Sequence, residues 1–167
     1  GLLTLPENIT EPVPAVVFVH GSGSSNMDEK VGQLTPFKDL AEGLANKGIA
    51  SIRYDKRSFA HGLKMVRDKS TIITVKEETI DDAILATELL KKDSRIDSHN
   101  IFIIGHSMGG MLAPRIDSEG GKYKGLIIMA GTPRKLEDVM LEQNKAVLRS
   151  TKGLVNWIVR KQVAKLS

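Results

Sequence analysis

The stretch of sequence that decides the fold is residues 101–112, IFIIGHSMGGML. Four apolar residues typical of a strand lead into a glycine-rich run, and a helix-compatible segment follows. The spacing of Gly105, Ser107 and Gly109 suits a turn so tight that a side chain at either glycine would collide with the neighbouring strand or helix. The sequence therefore predicts a strand, a sharp turn and a helix, with Ser107 at the apex of the turn.

A serine at the apex of such a turn has its hydroxyl clear of the sheet edge. The helix that begins behind it presents free N–H groups to any negative charge that develops there. A glycine-rich turn in which Ser107 only caps the helix is the alternative interpretation. The strand before the turn and the helix after it are the context that a nucleophile needs, so we predict that Ser107 is a nucleophile.

Length and composition indicate one domain with its own hydrophobic core. The chain has 167 residues, of which 41% are apolar and 26% charged, as is ordinary for a globular protein. It contains neither a charged leader nor an apolar run near the roughly 18 residues of a membrane span. The first residues read as the middle of a strand, so a signal peptide could have been removed without trace. We favour the cytoplasm but leave the compartment open, and the absence of cysteine excludes disulfides and thiolate metal sites.

The net charge of +4 comes from the C-terminal third, where Lys and Arg outnumber Asp and Glu. A basic surface can indicate binding to nucleic acid or to an anionic membrane. No basic run with interleaved aromatic residues accompanies it in this sequence. We therefore predict a solvated lysine-rich face and neither of these partners.

Strand and helix patterns alternate along the chain. The predicted strands are residues 2–5, 15–19, 49–54, 101–104 and 126–129, and the predicted helices are residues 35–47 and 74–92, the segment after Ser107, and residues 135–149 and 153–166. Such alternation predicts an α/β fold with a doubly wound, mostly parallel sheet and helices on both faces. We place strand 101–104 in the centre, between 16–19 and 126–129, with 49–54 outside 16–19.

Local signals set the ends of three helices. Thr35, followed by proline, is a helix start with threonine as the cap, and Thr74-x-x-Glu77 is a capping box. Pro114 should kink or shorten the helix after the serine. The apolar residues of the helix that Thr74 opens are predicted to form one face packed on the sheet: Ile80, Ile84, Leu85, Leu89 and Leu90.

Four loops follow the carboxyl ends of predicted strands and should meet at one edge of the sheet. They are the small-residue loop at residues 20–25, the start of a long polar connection at residues 55–73, the turn at Ser107 and residues 131–133. This edge is the predicted functional site.

Motifs in these loops resemble the α/β-hydrolase superfamily. They are HGSG at residues 20–23 and GHSMGG at residues 105–110. Further motifs make the chain similar to a bacterial branch of esterases and dienelactone-hydrolase-like acyl hydrolases related to serine aminopeptidases: RYDKR at residues 53–57, APR at 113–115, and LED at 136–138 followed by EQ at 142–143. The resemblance covers nearly all of this chain but only the first two-thirds of that family's domain.

The resemblance implies acyl transfer to water through Ser107, with an acyl-enzyme intermediate and no cofactor. The backbone N–H groups of Ser22 and Met108 would form the oxyanion hole. Six residues would support the loops rather than carry protons: His20, Gly21, Gly23, Gly105, His106 and Gly109. A phosphate-binding loop at residues 20–25 is the alternative, but it lacks the Lys-Ser/Thr that such a loop requires.

The two remaining histidines carry weaker predictions. His61, in the polar connection, could line the site, although a solvated loop residue is favoured. His99 precedes the serine-bearing strand, so it should lie at the opposite edge of the sheet. Asp55 is predicted to tie down its own loop. No two histidines have the spacing of a metal site, so no metal is predicted.

Residues 1–134 are predicted to form the hydrolase core and residues 135–167 a helical cap over the acyl pocket. A plain amphipathic helix on the sheet is the alternative for the second segment. The predicted function is hydrolysis of carboxylic esters or related small acyl compounds. A peptidase that releases N-terminal residues, which would need an acidic pocket for the substrate amine, and a catalytically incomplete domain are the alternatives.

The remaining members of a catalytic triad are missing from the sequence. In this fold an acid and then a histidine follow the serine along the chain. No histidine follows Ser107, and neither Asp117 nor Asp138 falls at the position of the acid. We therefore expect a fragment that is nearly inactive alone. The strand 126–129 would then be an exposed apolar edge, which leaves a homo-oligomer formed through this edge open.

Overall fold

A five-stranded sheet forms the centre of the fold. The computed structural model describes residues 1–67 and 74–150 of the chain. In chain order the strands are β1 (Leu2–Thr4), β2 (Val13–Val19), β3 (Ala50–Arg53), β4 (Ile96–His106) and β5 (Gly125–Met129). Across the sheet they lie in the order β1-β3-β2-β4-β5, with β1 antiparallel to β3 and the other pairs parallel. The predicted fold class and the predicted order of the four parallel strands are confirmed.

The register of the sheet brings the ends of three strands to one level. Val19 of β2 lies opposite Gly105 of β4, and Gly105 lies opposite Ile128 of β5. The segments that follow β2, β4 and β5 therefore begin side by side at one edge. Residues 15–19 are almost completely buried, as expected of a strand covered on both faces.

The strand β5, at the edge of the sheet opposite to β1, is partly open to solvent. Among the described residues β5 pairs only with β4, and Ile127 and Ile128 are 44% and 51% exposed. The association of copies through this edge stays a prediction, which sedimentation velocity at rising protein concentration would test.

Helices cover both faces of the sheet, as predicted. The described helices are α1 (Pro36–Ala45), α2 (Arg57–Arg67), α3 (Asp81–Lys92), α4 (Met108–Ile116) and α5 (Leu136–Ser150), with π-helical turns at Lys76–Ile80 and Asp117–Gly121. Phe37 of α1 packs with Phe18 in the core on one face. Leu90 of α3 and Ile116 of α4 pack in the core on the opposite face.

The predicted polar connection at residues 55–73 is wrong for its first half, because α2 forms there. Phe59 and Leu63 stand at helical spacing on α2, but they are 54% and 80% exposed, and polar contacts fix the start of the helix. The N–H groups of Phe59 and Ala60 donate to the carbonyl of Lys56. The guanidinium group of Arg57 donates to both carboxylate oxygens of Asp82. Residues 68–73 of the predicted connection lie outside the described part of the chain.

The two predicted helix caps have different outcomes. Glu77 Oε2 accepts the N–H of Thr74 at 2.8 Å, and Thr74 Oγ1 accepts the N–H of Lys76 at 3.1 Å. This is the reciprocal pattern of a capping box, which is confirmed. Thr35 lies at the cap position of α1 but makes no capping hydrogen bond. Its hydroxyl donates to the carboxylate of Asp39 at 3.0 Å. The predicted capping by the side chain is wrong, because the backbone of Thr35, with a ψ of 61°, is not in the extended conformation of a cap.

The predicted apolar face of α3 is also wrong in part. Leu85 and Leu89 are 57% and 62% exposed. The buried residues continue from Ile80 through Ala83 to Leu90, which is helical spacing along a narrower stripe. An alanine within this stripe leaves room for the helix axis to approach the sheet, so the neighbouring leucines project to one side.

The helix after the serine is short. α4 ends at Ile116, two residues beyond Pro114, and continues only as a π-helical turn that contains Gly120 at φ +146°. Proline lacks the N–H that would donate to the carbonyl of Gly110 in the preceding turn, which agrees with the predicted shortening.

The chain divides into two compact units, Gly1–Thr132 and Pro133–Ser167. In the second unit, α5 matches the helix predicted at residues 135–149, and Arg134 donates to Glu142 at 2.7 Å. The helix predicted at residues 153–166 lies outside the described residues, and the role of this unit as a cap stays a prediction. Within residues 1–67 and 74–150, no helix combines the length and apolar character needed to cross a bilayer.

Candidate functional site

Ser107 lies at the junction of β4 and α4 with a backbone conformation that serine rarely adopts. Its φ is +51° and its ψ is −115°. Such geometry costs of order 1–3 kcal/mol and persists only where the surroundings enforce it. One of these surroundings is β5, because the N–H of Ser107 donates to the carbonyl of Met129 at 2.8 Å. We call residues 105–110 the serine turn.

The serine turn requires glycine on both sides of Ser107. A Cβ atom placed on Gly105 would lie 2.4 Å from the carbonyl oxygen of Gly109. A Cβ atom placed on Gly109 would lie 2.3 Å from the carbonyl oxygen of Val19. Both atoms belong to backbone that cannot move away cheaply, so the steric reason predicted for this spacing is present.

Residues 20–30, which we call the HGSG loop, lie directly against the serine turn. A Cβ atom placed on Gly21 would be 3.3 Å from Cβ of Ser107 and 3.4 Å from Nδ1 of His106. Ser22 and Gly23 are exposed. Gly23 has a φ of +87° and open space around it, so its backbone conformation rather than its size favours glycine.

The two predicted oxyanion donors are unengaged in the described part of the chain. Met108 is the first residue of α4, where a backbone N–H has no partner within the helix. Among residues 1–67 and 74–150, the backbone hydrogen bonds outside helices and strands include none from the N–H of Met108 or of Ser22. Both groups are thus free to donate to a ligand, and their role in catalysis stays a prediction.

His20 is a buried part of the HGSG loop. Its Nε2 lies 3.0 Å from the carbonyl oxygen of Asn26, and its ring packs against Phe37 and Tyr54. Burial lowers the pKa of His20 to about 4. The ring is therefore neutral near pH 7, in a position that fits the predicted structural role.

His106 contacts a carboxylate and not the backbone. Its Nδ1 lies 2.9 Å from Oε1 of Glu29. The same oxygen accepts the N–H of Gly21 at 2.7 Å. The influence of His106 on backbone geometry therefore passes through Glu29, which the sequence interpretation did not include.

Lys56 is the second residue that the sequence interpretation missed. Its side chain is 1% exposed, and Nζ lies 3.0 Å from the carbonyl oxygen of Gly21 and 3.7 Å from Oε2 of Glu78. Burial lowers the pKa of Lys56, whereas the charge of Glu78 raises it. Its place in RYDKR directly after β3 was a weak signal, because that end of the strand had been assigned to the site edge.

The prediction that Asp55 ties down its own loop is wrong. Asp55 Oδ1 accepts the N–H of Met27 at 2.7 Å, so it fixes the HGSG loop. The reason is the parallel sheet, which places the end of β3 beside the end of β2. The contacts of Asp55, Lys56 and Gly21, together with the approach of Gly131 to Gly110, confirm that the four predicted loops meet.

His61 and His99 lie away from Ser107. His61 is exposed on α2 and lines a cavity of about 450 Å³ together with Tyr54 and Leu85, and Ser107 does not line this cavity. His99 lies in the first half of β4, at the opposite end of the strand from Ser107. Within residues 1–67 and 74–150, no cluster of three His, Asp or Glu side chains could hold a metal ion.

Of the two acids considered after Ser107, Asp117 is engaged with its own neighbourhood. Asp117 Oδ1 accepts the N–H of Tyr123 at 2.7 Å, and Asp138 lies on α5 in the second unit. The sequence has no histidine after Ser107. The acid and histidine that would activate Ser107 are therefore not among the described residues.

A family described as "Serine aminopeptidase, S33" (Hydrolase_4) matches residues 10–166, and the chain belongs to this family. Esterase EstD of Thermotoga maritima is 43% identical over 145 residues, which cover 87% of this chain and 33% of EstD. The chain thus spans about a third of the length of this relative.

Solved structures show the same fold at low sequence identity. The esterase Pf2001 of Pyrococcus furiosus matches with a TM-score of 0.63 and 22% identity, over 93% of this chain and 53% of that protein. The α/β hydrolase GrgF of Penicillium sp. sh18 matches with a TM-score of 0.57 and 16% identity, over 89% of this chain and 48% of that protein. The chain has the α/β-hydrolase fold.

Proposed function

We propose that Ser107 is the nucleophile of a serine hydrolase that cleaves carboxylic esters. The observation that carries the proposal is the backbone of Ser107, which is held at φ +51° between β4 and α4 with Gly21 packed against it. Strained backbone at a solvent-accessible polar residue is typical of functional sites. The identity of 43% to a protein named Esterase EstD supports an ester as the substrate.

The proposed reaction has two steps. The oxygen of Ser107 attacks the ester carbonyl carbon while a general base takes its proton, and the electron pair of the C=O π bond moves to the carbonyl oxygen, which becomes negatively charged. The N–H groups of Ser22 and Met108 stabilise this charge. The C–O bond to the alcohol then breaks, the alcohol leaves with a proton, and water releases the acid from the acyl-enzyme. His20 and His106 are engaged with Asn26 and Glu29, so we assign the general base to neither.

Labelling with a fluorophosphonate probe tests the nucleophile. The probe forms a P–O bond to an activated serine and releases fluoride. We expect one label per chain of the full-length protein, mapped to Ser107 by mass spectrometry of peptides, and none in its Ser107→Ala variant. Ser118→Ala is the matched control, because Ser118 lies just beyond α4 and its hydroxyl donates to the carbonyl of Arg115. A label that persists in Ser107→Ala would overturn the proposal.

An aminopeptidase is the second candidate, favoured by the description of the family. Such an enzyme needs a carboxylate near Ser107 to bind the free amine of the substrate. The buried carboxylate closest to the serine turn belongs to Glu29, which already accepts the N–H of Gly21 and contacts His106. Comparing p-nitrophenyl esters with aminoacyl p-nitroanilides separates the two functions, and we expect turnover of the esters only.

A further inference from the structure

Two buried charged side chains hold Gly21 from opposite sides of its backbone. Glu29 Oε1 accepts the N–H of Gly21 at 2.7 Å, and Lys56 Nζ donates to its carbonyl oxygen at 3.0 Å. Glu29 is 8% exposed and Lys56 is 1% exposed. Burying a charge is costly unless it is paired and hydrogen-bonded. Ordinary loop packing does not require such groups, which suggests that the position of Gly21 matters.

The contact of Lys56 determines the direction of the next N–H group. The peptide bond between Gly21 and Ser22 is trans and planar, so its C=O and N–H point in opposite directions. Lys56 draws the carbonyl of Gly21 into the interior. The N–H of Ser22 therefore points away from Lys56 Nζ and from the interior.

Glu29 connects the HGSG loop to the serine turn. The oxygen that accepts the N–H of Gly21 is also 2.9 Å from Nδ1 of His106, the residue directly before Ser107. Glu29 itself has a φ of +51°, a left-handed conformation that is unfavourable for glutamate. The loop thus adopts a strained backbone at the residue whose carboxylate makes both contacts.

We propose that Lys56 and Glu29 are positioning residues, which fix Gly21 so that the N–H of Ser22 is aimed at the substrate oxygen that becomes negative. Neither side chain touches the substrate. The proposal rests on the proposed function, in which Ser107 attacks an ester and the N–H of Ser22 stabilises the oxyanion.

Steady-state kinetics of the full-length protein with a p-nitrophenyl ester provide the first test. Removing one oxyanion donor typically lowers kcat by about 10²–10³-fold, and we expect a loss of this order in Lys56→Met, with KM changed by less than about threefold. Glu29→Gln keeps an oxygen that can accept the N–H of Gly21, so we expect a loss of only about tenfold. Glu78→Gln is the matched control. It removes the other partner of Lys56 without touching Gly21, and its kcat should stay within about threefold of the wild type.

Thionoester substrates separate a positioning role from a structural one. Sulfur is a weak hydrogen-bond acceptor, so a C=S substrate gains little from the oxyanion hole. We expect the wild type to prefer the oxygen ester strongly and Lys56→Met to lose most of this preference. An equal loss of kcat for both substrates, or an unchanged kcat in both Lys56→Met and Glu29→Gln, would overturn the proposal.

A structural readout keeps this test separate from that of the proposed function. In crystal structures, Lys56→Met should show a rotated peptide between Gly21 and Ser22, whereas Glu78→Gln should not. An unrotated peptide in Lys56→Met would overturn the proposal, whatever the enzyme does. Turnover that survives in Ser107→Ala would instead overturn the proposed function. If Lys56→Met does not fold, Lys56→Gln, which retains a donor, takes its place with a smaller expected rotation.

Discussion

The serine turn and the HGSG loop lie in contact, but their conformations are held in different ways. In the serine turn, backbone approaches so closely that only hydrogen fits at Gly105 and Gly109. The HGSG loop is held by side chains, which include its own His20 and, from the segment after β3, Asp55 and Lys56. A steric requirement leaves a fixed spacing in the sequence, whereas a network of polar contacts leaves none. The comparison also predicts different responses of the two regions to mutation and to pH.

The largest effect on stability is expected from adding a methyl group to the serine turn. In Gly109→Ala the new Cβ would lie 2.3 Å from the carbonyl oxygen of Val19 and 2.7 Å from that of His20. We expect the free energy of unfolding to fall by about 3 kcal/mol or more, because both atoms belong to backbone. Urea denaturation measures this change.

Gly43→Ala is the matched control for this substitution. Gly43 lies within α1 with nothing near its Cβ position, so alanine should stabilise the protein by about 0.5–1 kcal/mol. Comparable stabilities of the two variants would show that the serine turn adapts to a methyl group, and would contradict the steric explanation of its conformation.

The second effect concerns the pH dependence of the HGSG loop. Burial lowers the pKa of His20 to about 4, from an ordinary 6.5. Between these values the unfolded chain binds a proton that the folded chain does not, so stability falls as the pH is lowered through this range. We expect the free energy of unfolding to fall by about 2 kcal/mol between pH 7.5 and pH 5 because of His20.

Urea denaturation at the two pH values tests this prediction. In His20→Gln the part of the loss due to His20 should disappear. In the control variant His99→Gln, which changes an exposed histidine at the other end of β4, it should remain. If His20→Gln loses as much stability as the wild type on acidification, the pH sensitivity does not come from the loop.

A smaller effect is expected at Gly23, where space is not limiting. Gly23 and Gly48 have φ values of +87° and +80°, and both have open surroundings. Alanine at either position should cost about 1 kcal/mol from backbone strain alone. Only Gly23→Ala should also slow the labelling of Ser107 by a fluorophosphonate, because Gly23 adjoins Ser22. Equal labelling rates in the two variants would show that the loop conformation does not matter to Ser107.

The smallest effect on stability is expected from Ser107→Ala. The hydroxyl of Ser107 forms no hydrogen bond within the described residues, and the strain of this position serves function rather than stability. We expect all esterase activity of the full-length protein to be lost while its melting temperature is unchanged or slightly higher. A fall of several degrees would indicate that Ser107 has a structural role.

The parts of the molecule that repeat a local pattern could be predicted from the sequence. Apolar runs predicted the strands, the doubly wound topology predicted their order, and the spacing of Gly105 and Gly109 predicted the serine turn. The helix α2 was not predicted, because Gly62 and the polar character of the segment favour a loop, although Phe59 and Leu63 stand at helical spacing. Glu29 could not be predicted, since its contacts with Gly21 in the same loop and with His106 on β4 leave no pattern in the sequence.

The hydrogen bond from the N–H of Ser107 to the carbonyl of Met129 has a consequence for the order of assembly. Met129 is the last residue of β5, which is synthesised after β4 and α4. While the chain emerges from the ribosome, the amide of Ser107 has no such partner to offset its strained φ. The serine turn therefore reaches its final geometry only after β5 has docked, and completion of the sheet and completion of the turn become a single event in folding.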